Sequence, residues 1–171
     1  MPEEKEDQYK KRISWAVTLF ATFLTFNGIF GGSNSSRMLY NVIEIGDLWS
    51  FYQARSIKQS LVEIKLYNET DLGKIAAYKR QIQTYESEPS TGEGKKELFE
   101  KATGLQKQND ELSKNAKFFS YTTSILQIVM VMLSTSLLAK SRQLYYAALI
   151  LGIIGFLSFT QAMWLWIPLP F

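Results

Sequence analysis

The hydrophobic positions of this chain are concentrated in three blocks that contain no charged side chain, over residues 13–30, 118–139 and 144–167. A helix of about 20 apolar residues is long enough to cross the hydrocarbon core of a bilayer. The first block is also too long for the core of a signal peptide, so we expect a retained anchor. The pattern predicts an all-α integral membrane protein with three transmembrane helices, at residues 13–32, 118–139 and 144–167.

The segment between the first two blocks, residues 33–117, carries 13 basic and 12 acidic side chains, so we expect it to lie outside the membrane. A turn signal at residues 88–94 divides it. The positions that follow this turn repeat at alternating spacings of four and three, as in a coiled-coil seam: Leu98, Ala102, Leu105, Asn109, Leu112, Ala116 and Phe119. A matching stripe precedes the turn: Ile75, Tyr78, Ile82 and Tyr85. The sequence therefore predicts an extramembrane helical hairpin, an antiparallel coiled coil with its tip near residues 88–94, and one continuous helix from Lys95 to Ala139.

The lengths of the two hairpin arms differ. The returning arm, residues 95–117, rises roughly 35 Å, whereas an unbroken helix over residues 33–87 would rise roughly 80 Å. We expect the run Gly31–Ser36 to break the first membrane helix. The surplus around residues 37–65 would then lie near the membrane surface or form an extra packed helix. Residues 1–12, 140–143 and 168–171 are predicted to be a cytoplasmic tail, a short loop and a C-terminal tail.

Basic side chains close to the membrane blocks predict the orientation. Six of them flank the side that carries the N-terminus: Lys5, Lys10, Lys11, Arg12, Lys140 and Arg142. Four flank the other side: Arg37, Lys107, Lys114 and Lys117. Because positive charge is enriched in cytoplasmic loops, we expect a cytoplasmic N-terminus and a hairpin on the opposite side of the membrane.

The composition excludes several classes of catalytic site. The chain contains neither Cys nor His, which rules out thiolate nucleophiles, Cys/His zinc sites and Ser-His-Asp triads. The net charge of +3 is too small and too dispersed to indicate nucleic-acid binding. We therefore expect no enzymatic activity, no catalytic residue, no cofactor and no metal site.

Three strongly polar side chains lie inside the apolar blocks: Asn27, Gln127 and Gln161. Polar groups at such positions commonly form hydrogen bonds between membrane helices. A lumen lined by the same residues is the alternative interpretation. We favour helix packing, because ion pathways usually contain an intramembrane charge.

The densest unusual constellation of the chain is a stretch rich in aromatic and basic residues, Trp49-x-x-Tyr52-Gln53-Ala54-Arg55-Ser56-Ile57-Lys58. Together with Ser33-Asn34, this stretch resembles the bacterial DUF4337 family of membrane proteins, which more often has Lys where Arg55 stands. The resemblance extends over the order of the membrane segments. It implies a location in the bacterial inner membrane, where the orientation expected from the basic residues would place the hairpin in the periplasm. It implies no activity and no role for any residue.

The physical properties of this stretch allow two interpretations. On a helix Trp49, Tyr52 and Ser56 share one face, with Gln53 beside them, while Arg55 and Lys58 share another. At a membrane surface the aromatic rings and cations would contact lipid headgroups. In a packed core, Trp49 and Tyr52 would be anchors and the cations would pair with glutamates. We favour the core slightly, and expect a helix within about two turns of the bilayer that supports assembly.

The sequence predicts a non-enzymatic membrane scaffold or accessory subunit as the function. Its partners would be the lipid bilayer and either further copies of the chain or a larger membrane complex. Two alternatives remain open. One is an oligomeric channel or transporter lined by the intramembrane polar residues. The other is a membrane insertase, since such proteins place a cytosolic coiled coil between the first two of three core helices.

Overall fold

The computed structural model of the protein describes residues 2–164, and the side chains of residues 6–164, as helices joined by short links. The helices are α1 (Pro2–Tyr67), α2 (Leu72–Glu86), α3 (Lys95–Ala139) and α4 (Arg142–Trp164), and the described residues contain no strand. Helices α1, α3 and α4 are each long and apolar enough to cross a membrane. The predictions of an all-α protein and of a continuous helix from Lys95 to Ala139 are confirmed. The end of the predicted third span and the C-terminal tail, residues 165–171, lie outside the described residues.

The chain divides into two compact units. Unit 1 contains the residues up to Arg37 and those from Leu112 onward, so it holds the three apolar blocks. Unit 2 is Met38–Glu111 and holds most of the charged segment.

Unit 1 has an apolar core formed by α1, α3 and α4. Its fully or almost fully buried members are Ile13, Phe20, Leu126, Val129, Leu133 and Ala148. A Cβ atom added to Gly152 would meet the ring of Phe20, so only glycine allows this approach of α4 to α1. Small residues that bring helix backbones together are typical of membrane-helix packing, because lipid tails supply no hydrophobic driving force for association.

The predicted helix break at Gly31–Ser36 is wrong, because α1 continues through these residues. Packing outweighs the weak helix propensity of the run. The Asn34 side chain donates to the Leu112 carbonyl oxygen over 2.8 Å, and Ser36 Oγ donates to the Gly32 carbonyl oxygen within α1. A Cβ atom on Gly31 would lie 3.2 Å from that of Phe119, so this glycine serves close helix packing.

The C-terminus of α3, in unit 1, has a specific cap. Lys140 adopts a positive φ of 49°, and the Ser141 N–H donates to the Ser136 carbonyl oxygen, which is the geometry of a left-handed helix C-terminus. Lys140 Nζ also lies 2.8 Å from a Glu6 carboxylate oxygen. Residues 2–12 of the predicted cytoplasmic tail are helical and belong to α1.

Unit 2 reverses direction at residues 68–71. Asp71 caps α2 there, since its carboxylate accepts hydrogen bonds from the Gly73 and Lys74 backbone N–H groups. Beyond this reversal, residues that come later in the chain contact residues that come earlier in α1: Tyr85 contacts Arg55, and Phe99 contacts Trp49.

The order of these contacts shows that α2 and α3 both run antiparallel to α1. The predicted tip near residues 88–94 is therefore wrong: this segment is a joint within the returning arm, and α1 with residues 68–71 makes the reversal. The returning arm consists of α2 followed by α3, and α2 lies beside the end of α1. The two arms are therefore more similar in length than the sequence suggested. The turn residues were correctly identified, but a turn signal does not say which helix its neighbours pack against.

Candidate functional site

The part of α1 in unit 2 has an inner face whose residues are all buried or half-buried. They repeat at alternating spacings of four and three: Asn41, Ile45, Leu48, Tyr52, Arg55, Gln59, Val62 and Leu66. Two residues of the Trp49–Lys58 stretch, Tyr52 and Arg55, therefore point at the returning arm. Trp49 and Ser56 flank this face and are half-buried, whereas Gln53 and Lys58 are exposed. The stretch is helical, as expected.

The aromatic residues of the stretch form a small cluster with α3. The Trp49 ring lies edge-on to Tyr52, with a centroid distance of 5.5 Å, and edge-on to Phe99 at 5.7 Å. Such edge-to-face pairs contribute about 0.5–1.5 kcal/mol beyond the area they bury. The cluster therefore fixes the register of α3 along α1 within unit 2.

Arg55 holds the joint between α2 and α3. Its guanidinium ion-pairs with Glu93 at 2.5 Å and Glu88 at 3.5 Å, and lies over the Tyr85 ring at 5.5 Å. The Arg55 side chain is only 19% exposed, so solvent screens these contacts less than it screens ordinary surface pairs. A planar guanidinium can satisfy two carboxylates and a ring at once, whereas the compact ammonium of Lys cannot match this geometry.

Lys95 repeats this arrangement at the start of α3. Its ammonium nitrogen lies 2.9 Å from a Glu86 carboxylate oxygen and 5.9 Å from the centre of the Tyr52 ring. Each cation thus lies between an acidic group and a tyrosine ring. Arg55 reaches from α1 to the joint, and Lys95 reaches from the joint to α1.

Glu97, in the first turn of α3, binds the residues that follow α2. Its carboxylate accepts a 2.6 Å hydrogen bond from the Ser87 hydroxyl and a 3.1 Å hydrogen bond from the Glu88 backbone N–H. The hydroxyl bond and then the backbone bond stabilise the charged form, so the pKa of Glu97 is lowered from its ordinary value of 4.5. Gly94 is equally constrained, because an added Cβ atom would lie 2.2 Å from the Glu97 carboxylate.

The opposite side of α1 in unit 2 carries exposed apolar side chains. We call this the outer face: Tyr40, Ile43, Ala54, Ile57, Leu61 and Ile64. The side chains of Ile57, Leu61 and Ile64 are 63%, 55% and 61% exposed. By contrast, the buried hydrophobic residues of unit 2 are Val62, Leu98 and Ala102. Unit 2 therefore exposes an apolar run at Ile57, Leu61 and Ile64 while burying few apolar side chains.

The three intramembrane polar residues do not line a common lumen. Asn27 is buried and its amide donates to the Phe119 carbonyl oxygen and to Thr123 Oγ1, so it joins α1 to α3. Gln161 is half-buried and has an interaction partner. Gln127 points outward from α3, and its amide makes no hydrogen bond within the described part of the chain.

Sequence reasoning found the Trp49–Lys58 stretch but missed the residues that contact it. These are Tyr85, Glu88, Glu93, Lys95 and Phe99. It also missed Glu86 and Glu97, which bind other residues of the joint. One available signal was overlooked: Asn27, Asn34 and Asn41 are spaced seven apart and are all buried. This spacing predicts a second long seam on α1. Nothing in the sequence alone pairs the glutamates of the joint with Arg55.

The position of the stretch within about two helical turns of the bilayer stays a prediction, but its original argument no longer holds. It relied on a helix break after the first apolar block, whereas α1 continues without interruption from Phe30 to Trp49, about five turns.

Comparison with known proteins gives one match. A family model described as a domain of unknown function (DUF4337) matches residues 9–165, nearly the whole chain. No curated protein and no solved structure matches the chain.

Proposed function

The chain belongs to the DUF4337 family, and we propose that it is a non-enzymatic membrane scaffold that assembles with further copies of itself through the outer face of α1. The observation that carries this proposal is the exposed apolar run Ile57, Leu61 and Ile64 on a helix of the charged unit. Outside a bilayer, exposed apolar area costs roughly 25 cal/mol per Å² relative to burial. A contiguous apolar face on such a unit is typical of a protein interface.

The spacing of the outer face supports a helical partner. Ala54, Ile57, Leu61 and Ile64 follow each other at intervals of three, four and three, which is the repeat of a coiled-coil seam. Copies inserted in one membrane with the same orientation present their α1 helices in parallel. Leu61 then occupies an a position between Ile57 and Ile64 at d positions, an arrangement that favours three or four strands over two.

The contacts of the inner face support a scaffold role for the Trp49–Lys58 stretch. Arg55, Tyr52 and Trp49 hold the returning arm against α1, which leaves the other side of the helix free to present its apolar residues. In this proposal the stretch supports assembly by stiffening the extramembrane unit as an antiparallel coiled coil, and it performs no chemistry.

The proposed location is the bacterial inner membrane, with the N-terminus in the cytoplasm and unit 2 in the periplasm. The excess of basic residues beside the N-terminal side of the apolar blocks supports this orientation. A cysteine introduced in place of Thr91, which is exposed, tests it. Labelling by a membrane-impermeant reagent on intact cells is expected; protection would place unit 2 in the cytosol and favour the insertase alternative.

Native mass spectrometry in mild detergent tests self-association. The wild type is expected to give a defined oligomer, and Leu61→Gln is expected to shift it to monomer. Leu72→Gln is the matched control, because Leu72 is also an exposed leucine of unit 2 but lies on α2, off the outer face. A wild type that remains monomeric at all concentrations without a co-purifying partner contradicts the proposal, as does an unchanged oligomer for Leu61→Gln.

A further inference from the structure

Unit 1 carries an apolar groove of about 590 Å³ between α1 and α4. Aromatic rings of both helices line it, together with Leu19, Thr22 and Gly152. Its volume lies within the range typical of small-molecule sites. The close approach of Phe20 to Gly152 forms part of its wall, since a Cβ atom on Gly152 would collide with the Phe20 ring. The groove is thus built by the packing of the core.

A second, more polar and open surface, formed by α1 alone, adjoins this groove. The two share Trp15 and Thr18, and the second is also lined by Asp7, Lys10, Lys11 and Ser14. Together they form one continuous surface along α1, apolar inside the first block and charged just before it. Trp15 lies where the two parts join and is 75% exposed, as expected for an aromatic anchor at a membrane interface.

The charged part of this surface is net positive. Lys10 and Lys11 are both exposed, and Lys10 forms an ion pair with Glu6 on its own helix at 3.1 Å. Asp7 offsets one of the two charges. Two ammonium groups beside an interfacial tryptophan attract an anionic headgroup, and each basic group near a membrane surface contributes about 1 kcal/mol to such binding.

We propose that this surface is a binding site for one anionic phospholipid. The headgroup phosphate contacts Lys10 and Lys11, and an acyl chain occupies the groove beside Thr22 and Gly152. Charge complementarity between the phosphate and the two lysines, beside an apolar groove for the acyl chain, supports this occupant. The inference is independent of the self-association proposed for the outer face of unit 2.

The test is native mass spectrometry of the purified full chain, titrated separately with phosphatidylglycerol and phosphatidylcholine. The wild type is expected to retain one phosphatidylglycerol in preference to phosphatidylcholine. Lys10→Gln/Lys11→Gln is expected to reduce this preference by roughly 10- to 30-fold. Arg12→Gln/Arg142→Gln is the charge control, because it removes two cations that line a separate small cavity of unit 1.

A second pair of variants tests the groove. Thr22→Trp places an indole in it and is expected to weaken binding of both lipids severalfold. Thr25→Trp is its control, since Thr25 is also exposed on α1 and also donates to the carbonyl four residues earlier, but does not line the groove. Equal lipid preference in wild type and Lys10→Gln/Lys11→Gln overturns the proposal. A Thr22→Trp variant that binds both lipids as Thr25→Trp does also overturns it. A Thr22→Trp variant that keeps its bound lipid but no longer gives the oligomer in the mass spectrum overturns it as well, and would assign the groove to a second copy.

Discussion

Unit 1 and unit 2 are held together internally by different kinds of contact. Unit 1 buries Asn27, Asn34 and Ser136 and supplies hydrogen-bond partners for each of these side chains. Unit 2 leaves Ile57, Leu61 and Ile64 exposed and closes its joint with ion pairs and cation–π contacts. The same helices, α1 and α3, contribute residues to both units.

The difference follows from the surroundings that the sequence predicts for each unit. Exposed apolar side chains on unit 1 would face lipid tails, where exposure carries no hydrophobic cost, so its packing depends on small residues and interhelical hydrogen bonds. The charges of unit 2 exclude it from hydrocarbon, and there the same exposure is unfavourable. Exposure of apolar groups is thus ordinary in unit 1, whereas in unit 2 it is the basis of the proposed self-association.

The largest expected effect is on the small core of unit 2. Leu98 is 5% exposed, so Leu98→Ala should destabilise unit 2 by about 2–5 kcal/mol at any protein concentration. Leu61→Ala should cost less than about 0.5 kcal/mol in the monomer, because Leu61 is exposed there. Denaturant unfolding followed by circular dichroism at several protein concentrations separates them. A concentration-independent loss for Leu61→Ala would contradict the assignment of the outer face as an interface.

The next effect concerns the joint. Gly94→Ala should destabilise unit 2 by about 1–3 kcal/mol, since the added methyl group would collide with the Glu97 carboxylate and the Glu88 nitrogen. Gly104→Ala is the matched control: an added methyl meets no atom within 4 Å, so it should stabilise the helix by about 0.4–1 kcal/mol. Amide hydrogen exchange in α2 and α3 measures both. Equal effects of the two substitutions would argue against a rigid joint.

A smaller effect is the response of the joint to acid. Because the hydrogen bonds from Ser87 and Glu88 lower the pKa of Glu97 in the folded state, its contribution to stability is present above the unfolded pKa of about 4.5 and is lost as the pH falls through the folded value. Glu97→Gln should therefore flatten the loss of stability below about pH 4.5, measured by thermal melts of helicity between pH 3 and 7. Glu100→Gln, at an exposed position of α3, is the control; a profile as steep for Glu97→Gln as for this control contradicts the role of Glu97.

The smallest effect separates the two polar residues of the membrane helices. Asn27→Leu should destabilise unit 1 itself, because it removes the hydrogen bonds to Phe119 and Thr123. Gln127→Leu should leave both the fold and self-association unchanged, because the exposed Gln127 amide makes no hydrogen bond within the described part of the chain and Gln127 lies off the outer face. Thermal unfolding and oligomer dissociation in detergent measure the two quantities. Loss of fold stability for Gln127→Leu would show that its amide is bonded within unit 1.

The sequence by itself determined the elements that depend on local pattern. Uncharged blocks of adequate length predict the three apolar helices, and the four-three repeat from Leu98 onward predicts a helix that continues into the second block. The turn over residues 88–94 was likewise identified, because turns depend on residues a few positions apart.

Only the tertiary structure decided how these elements pair. The Gly31–Ser36 run reads as a break, yet it stays helical because Asn34 and Gly31 gain contacts with α3 that local propensity does not include. The reversal at residues 68–71 could not be distinguished from a turn at the joint, because both have turn composition and the choice depends on which faces pack. The partners of Arg55 lie more than 25 positions away in the chain, so their identity depends on contacts between distant residues that a single sequence does not specify.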